Sequence, residues 1–286
     1  MPERPAPSVR ARQLARELRR LREAAQLTGE ASAARLGWSS AKVSRIETAR
    51  TSVTISDLRR LLGLYSVSGT DVDRLVDLAR TSRERGWWEN YVGDTPSEFA
   101  TFLGLEDEAS SIRTFSALVI PGLLQTEDYA RALLTSLLLM PPREVERLVQ
   151  VRQIRQNRIK QAGDTPLSLH VILDESTLRR PIGNPEVFRK QLVHLRDTAT
   201  GRQNVNIQIL PHSVGPHSAV TGTFAILAFP RLGDPEVVNL ELLDGHLFIE
   251  GEKSVYRYAL VFDQLIAKAL NPTDSLAFIG QVIEDL

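Results

Sequence analysis

The chain contains no cysteine. That excludes disulfides, thiolate metal sites and cysteine nucleophiles together. No apolar run reaches the ~18–20 residues needed to span a bilayer, so no transmembrane helix is expected. The opening MPERPAPSVR lacks the apolar core of a secretory signal and reads as a flexible basic tip. Common catalytic fingerprints are missing too: there is no GxSxG elbow, no GxxxxGK(S/T) phosphate loop and no HExxH. The five histidines are scattered, and His212, His217 and His246 would need a further ligand to hold a metal. They read as ordinary loop residues, so neither a metal nor a cofactor is expected. Asp174 and Glu175 end a strand and, in extended chain, would point to opposite faces, which argues against an acid/base dyad. An enzyme is not expected, and the sum points to a cytoplasmic protein.

Net charge is also absent: 35 basic residues balance 35 acidic ones. The balance hides an asymmetry. Residues 1–85 hold 17 Arg and Lys against 10 Asp and Glu, a net of +7, whereas the remainder holds 18 against 25, a net of −7. A basic domain gains from releasing counterions when it binds phosphate backbone. An acidic one is repelled by it, and suits another partner or a ligand. The length of 286 residues suits two domains, each with its own core.

The most informative stretch runs from Leu27 to Arg50. It reads as two short helices joined by a tight turn. Thr28 and Ser39 are N-cap candidates, Ala33 is small at the crossing point, and Gly37 suits a turn that needs φ > 0. Val43 and Ile46 give the second helix a buried side; Ser40, Lys42, Ser44 and Arg45 face outward. This is the skeleton of a helix-turn-helix, whose second helix enters the DNA major groove. A basic amphipathic helix precedes it, with Leu14, Leu18, Leu21 and Ala25 on one side. Two helices follow, carrying Ile55, Leu58, Leu61, Leu62 and Tyr65, then Val72, Leu75, Val76 and Ala79.

The fold expected is an all-α five-helix domain over 1–83, a Trp-rich linker over 84–95, and an α+β domain over 96–286 with a small, largely antiparallel sheet. Trp87, Trp88 and Tyr91 in the linker are either a wedge or cap against a core, or a partner- or ligand-binding surface. Residues 96–160 read as helical, with breaks at Pro121-Gly122 and Pro141-Pro142. The basic helix after the second break presents either a solvated face paired with acids of its own domain or a second contact to DNA backbone. Beyond Gly163 the apolar period shifts from 3.6 to 2. Strands are expected over 167–173, 205–209, 224–229 (a central strand), 237–243 and 247–249, with Asp244-Gly245 as a type I′ hairpin turn. A helix is expected from Pro185, and two more over 253–270 and 272–284. The loop 211–222, rich in Gly, Pro and Ser, is either a lid over a pocket or a plain connection.

Five helices with the hairpin second and third, together with Lys42-Val43-Ser44-Arg45-Ile46-Glu47, resemble the Xre (Cro/cI-like) DNA-binding family. Gly86-Trp87-Trp88, Pro121 to Thr126, Asp174-Glu175, Leu178 to Pro181 and Leu210-Pro211 resemble the C-terminal domain of WhiJ-like actinobacterial Xre regulators. The resemblance implies a cytoplasmic regulator that binds double-stranded DNA as a homodimer, paired in antitoxin-like fashion with a small protein encoded nearby. It implies that Ser40, Ala41, Lys42 and Arg45 face bases, with Arg45 suited to guanine O6/N7. It places Thr28 and Gly29 at a phosphate-binding helix start, with Arg50 and Arg12 as further phosphate contacts, and it pairs Glu47 with Arg22 as a structural ion pair. Three positions depart from the family: Gly29 replaces a usual glutamine, Ser32 a usual leucine and Ala49 a usual glycine. For the second domain, a small-molecule sensor is the alternative to a protein partner. An adaptor that does not bind DNA is the third possibility.

Overall fold

The structure, a computed structural model, describes residues 9–82, 86–88, 91, 97–137, 141–160, 166–220, 222–230, 235–243 and 245–286. Residues 1–8 of the basic tip, most of the linker and Asp244 therefore lie outside the described residues, while Val9 and Arg10 already belong to the first helix. The chain divides into two compact units, Met1–Leu105 and Glu106–Leu286.

The first unit opens with five helices: α1 (Val9–Ala24), α2 (Gly29–Leu36), α3 (Ser40–Glu47), α4 (Ile55–Leu64) and α5 (Thr70–Thr81). Their boundaries follow from local chemistry. Thr28 Oγ1 accepts the Ala31 N–H and Ser39 Oγ accepts the Lys42 N–H, satisfying orphan donors at the starts of α2 and α3. Thr54 does the same for α4 through Asp57 N–H. Gly37, at φ +67°, ends α2 in the left-handed region that glycine adopts without a Cβ clash. Leu14 and Leu18 of α1, Ile46 of α3, Leu58, Leu61 and Leu62 of α4, and Leu75 and Val76 of α5 share one buried core. The hairpin core is thin at Ser32: its Oγ and the Tyr65 hydroxyl lie buried near enough to interact, yet among the described residues neither has a partner in hydrogen-bond geometry.

Helix α6 (Ser97–Glu108) contains the division between the units. The second unit is α+β. Its strands are β1 (Ser111–Ser116), β2 (Ser168–Asp174), β3 (Val205–Leu210), β4 (Phe224–Ala228), β5 (Val237–Leu242) and β6 (Gly245–Ile249). They form one mixed sheet in the order β3-β2-β1-β4-β5-β6. The pairs β1–β2 and β2–β3 are parallel; β1–β4, β4–β5 and β5–β6 are antiparallel. Its helices are α7 (Glu127–Leu137), α8 (Pro142–Arg155), α9 (Asn157–Lys160), α10 (Ser176–Arg179), α11 (Pro185–Gly201), α12 (Glu252–Lys268) and α13 (Pro272–Glu284). Asn184 and Asn271 cap α11 and α13, each followed by a proline at the first helical position.

Helix α12 lies on the sheet face that carries Phe115, Ile172, Phe224, Ile226 and Val238, through Val255, Phe262 and Leu265. The alternate residues Leu169, Val171, Leu173, Ile207 and Ile209 are buried as well, so both faces of β2 and β3 are covered.

Two expectations are corrected. Residues 111–116 are not helical but form β1, which pairs with both β2 and β4 inside the sheet. Leu105, Ala109 and Ile112 fall at spacings of 4 and 3, and so mimic a continuation of α6 across its real end. The hairpin exists, but Gly245 pairs with Leu242 as the first residue of β6 and so is not a central residue of the turn. Leu243 is not among the positive-φ residues, which rules out a type I′ turn; Gly245 follows the turn at φ +146°.

Candidate nucleic-acid interface

Helix α3 buries Val43 and Ile46 and exposes Ser40, Ala41, Ser44, Arg45 and Thr48. Positions 41, 44, 45 and 48 form a continuous outer stripe at helical spacing. Arg45 stands on it with no side-chain hydrogen bond or ion pair to any described residue, so its planar fork of donors is open. Lys42 is placed differently from its expected role. Its Nζ sits 2.9 Å from Asp57 Oδ2 of α4 and 3.8 Å from the Trp38 ring centroid, drawn back toward the α4 start. The Arg60 guanidinium also lies over that ring, at 5.2 Å, and donates to the Leu36 carbonyl at 2.6 Å.

Beside the stripe runs an open cleft lined in part by Arg19, Thr28, Gly29, Ser40, Ser44 and Thr48. Gly29 is the first residue of α2 and nothing lies within 4 Å of where a Cβ would be. The cleft thus meets the N-terminal end of α2, where backbone N–H groups and the helix dipole favour an anion. Arg50 is exposed. Arg12 is half-buried, with its Nη2 closed off from solvent, because α1 turns this side chain into the domain.

Glu47 lies on the inner side of α3. Arg22 donates to it through Nε (2.8 Å) and Nη2 (3.0 Å), and through Nη1 to the Leu27 carbonyl (2.7 Å). The pair is nearly buried, with 12% and 9% of the two side chains exposed, and Glu47 holds the Arg22 pKa above its ordinary value. One guanidinium thereby ties the recognition helix to both ends of the α1–α2 connection. Ala49, just past α3, adopts φ +55°, a left-handed conformation that glycine would take without a Cβ clash.

Trp87, Trp88 and Tyr91 are half-buried and pack on one another edge-to-face, with centroids 5.8 and 6.2 Å apart. The Trp88 ring also approaches Gly104 of α6. In the second unit, the loop 211–222 is tied down. Lys268 Nζ donates to the Pro216 carbonyl, Ala219 is buried, and the His217 ring meets Phe115.

Asp174 and Glu175 do not diverge as extended chain would require, because Glu175 already has helical backbone angles. Asp174 Oδ1 accepts the Ser176 N–H, Glu175 Oε2 accepts the His212 N–H, and Ser176 Oγ lies 3.0 Å from His212 Nε2. Glu175 Oε2 is 3.8 Å from His212 Nδ1, too far to orient the ring by a hydrogen bond. The group joins the end of β2 to the turn after β3. Among the described residues no cluster of three or more His, Asp or Glu is placed to hold a metal ion.

Among the basic residues of α8 and α9, Arg143 and Lys160 are exposed, but three others turn into the unit. Arg155 is buried against Glu106, and Arg158 donates to the Ala109 carbonyl. Arg152 turns inward to Gln125.

A basic five-helix unit with a capped helical hairpin and an open outer stripe defines a helix-turn-helix DNA-binding protein. A helix-turn-helix domain family matches residues 13–75. Residues 99–281, more than half of the chain, match the domain of unknown function DUF5753, and the chain belongs to that family. No curated protein and no solved structure matches it. No helix among the described residues is long and apolar enough to cross a membrane.

Proposed function

We propose that the chain is a sequence-specific transcriptional regulator of the Xre type, acting in the cytoplasm as a homodimer on an inverted-repeat operator. The observation that carries this reading is Arg45, exposed on the outer stripe of α3 without a side-chain partner among the described residues, beside a cleft that meets the N-terminal end of α2. Arg45 reads a guanine edge, Ser40 and Ala41 set the close approach of α3, and Thr28, Gly29 and Arg50 hold phosphates. Two-fold pairing follows from how such domains read half-sites about one helical turn apart. Arg45→Ala should remove operator preference, at roughly 1–3 kcal/mol, and leave weak salt-sensitive binding in a gel-shift competition. A variant that keeps full preference would show that Arg45 does not read bases.

The second unit is regulatory rather than catalytic and docks a small partner protein, in an antitoxin-like pairing. Its support is the open edge strand β6, whose hairpin exposes Leu242 (57%), Leu243 (90%) and Leu247 (48%). Co-expression with the product of a small neighbouring gene tests it: a stable complex lost on Leu243→Asp supports the docking, and a complex indifferent to that change refutes the surface. A small-molecule sensor is the second reading, favoured by the surroundings of Arg152.

A further inference from the structure

Helix α8 places Arg152 and Arg155 three residues apart, and only Arg155 has a counter-ion among the described residues. Arg155 grips Glu106 through Nε and Nη2, at 2.5 and 2.7 Å. Among the described residues Arg152 has no carboxylate within ion-pair distance, and its one side-chain partner is the neutral Gln125, whose Oε1 accepts from Nη1 at 2.6 Å. Gln125 is itself nearly fully buried and held fast, because its Nε2 donates to the Ile120 carbonyl (2.7 Å) and its backbone carbonyl accepts from Gln156 Nε2 (2.5 Å). The amide is therefore locked with its oxygen toward the guanidinium.

Protein surrounds Arg152 so closely that burial, with Arg155 adding to it, lowers its pKa to about 10. Tyr129, fully buried beside it, is raised to about 12 by burial. Arg152 nevertheless keeps part of its surface open to solvent, and neither Nε nor Nη2 is sealed off. The carboxylate whose field partly offsets it, Glu241 of β5, is exposed and lies beyond ion-pair distance. A largely desolvated guanidinium whose one partner is neutral is costly to keep, and its Nε–Nη2 edge has the fork geometry that holds a carboxylate or phosphate by two parallel hydrogen bonds.

We propose that Arg152 anchors a binding site for a small organic anion, bearing a carboxylate or a phosphate, with Gln125 fixing the guanidinium and Arg155–Glu106 as its rigid floor. The ligand completes for Arg152 the contact that Glu106 makes for Arg155. Because every residue of the site belongs to the second unit, the site stands or falls independently of DNA binding.

The test uses the full chain labelled with 15N-arginine and follows the Arg152 Nε–H resonance, assigned by its loss in Arg152→Lys. Sodium acetate, sodium phosphate and sodium chloride are titrated at equal ionic strength. A saturable shift with acetate marks a carboxylate ligand, and one with phosphate alone marks a phosphorylated ligand; chloride should give neither. In calorimetry, the same anion should raise the unfolding midpoint of the wild-type chain. Arg152→Met should weaken binding about tenfold or more, the loss of a charge-assisted pair, while Arg196→Met, at an exposed surface arginine, should leave it intact. Glu241→Gln should tighten binding, since it removes a competing carboxylate. No anion-specific shift at Arg152, or a thermal response that survives Arg152→Met, overturns the proposal.

Discussion

Removing Glu47 should unfold the DNA-binding unit far more readily than its place on a recognition helix suggests, and the geometry of Arg22 sets the amount. Breaking a nearly buried pair by removing one partner costs about 3–5 kcal/mol, because the other charge is stranded. The two sides are not equivalent here. After Glu47→Ala, Arg22 keeps the Leu27 carbonyl and has Glu23 at 3.6 Å to turn to, so the loss belongs near ~3 kcal/mol. After Arg22→Ala, Glu47 remains with 9% of its side chain exposed and no other cation within ion-pair distance among the described residues, and the α1–α2 connection loses its tie. That loss belongs near ~5 kcal/mol. The double variant should cost less than the sum by about 2 kcal/mol. All three tryptophans, Trp38, Trp87 and Trp88, lie in the first unit, so tryptophan emission during urea denaturation of the full chain reports that unit alone. With a urea slope of ~1–3 kcal/mol/M, the Glu47→Ala midpoint should fall by roughly 1–3 M. Additive losses in the cycle, or equal losses from the two single variants, would refute the reasoning.

Asp57→Asn should free Lys42 from α4 and remove an acid near the interface; DNA binding should strengthen and its log–log salt slope steepen by about 0.9 if Lys42 takes up one phosphate. An unchanged slope would mean that Lys42 stays on Trp38. Ala49→Gly should stabilise the first unit by ~0.5–1 kcal/mol, the relief of a left-handed alanine less the added chain entropy of glycine; a lower urea midpoint would contradict the strain. Ser32→Ala should also stabilise it, by ~0.5–1.5 kcal/mol, since it removes a buried hydroxyl without a partner; destabilisation would mean that Ser32 and Tyr65 are bonded. Burial lowers the pKa of both His170 and His194, so the native second unit holds them neutral while the unfolded chain takes up protons near 6.5. Its calorimetric stability should therefore be full above about 6.5 and decline as pH falls below that value. The decline should shrink in His170→Gln, and a flat profile between pH 7 and 5 would refute the assignment.

The five helices were legible in the sequence because their signals are local. Caps at Thr28 and Ser39, a glycine at 37 and leucines at helical spacing act within a few residues of one another, so the chain states them whatever lies beyond. Two helices of the second unit announce themselves likewise, α11 through Pro185 and α13 through Pro272. Strand β1 did not, because its burial comes from neighbours far along the chain, with β2 and β4 on either side, and its apolar residues continue the spacing of α6. The pairing of Asp174 and Glu175 with His212 was hidden because it depends on one residue's turn out of extended geometry. Charge type was readable, but its disposition was not: Lys42, Arg152 and Arg155 all look alike as basic residues on helices. Only the packing of α3 against α4, and of α8 against Glu106 and Gln125, decides which cation is held, which is paired and which is left open for a ligand.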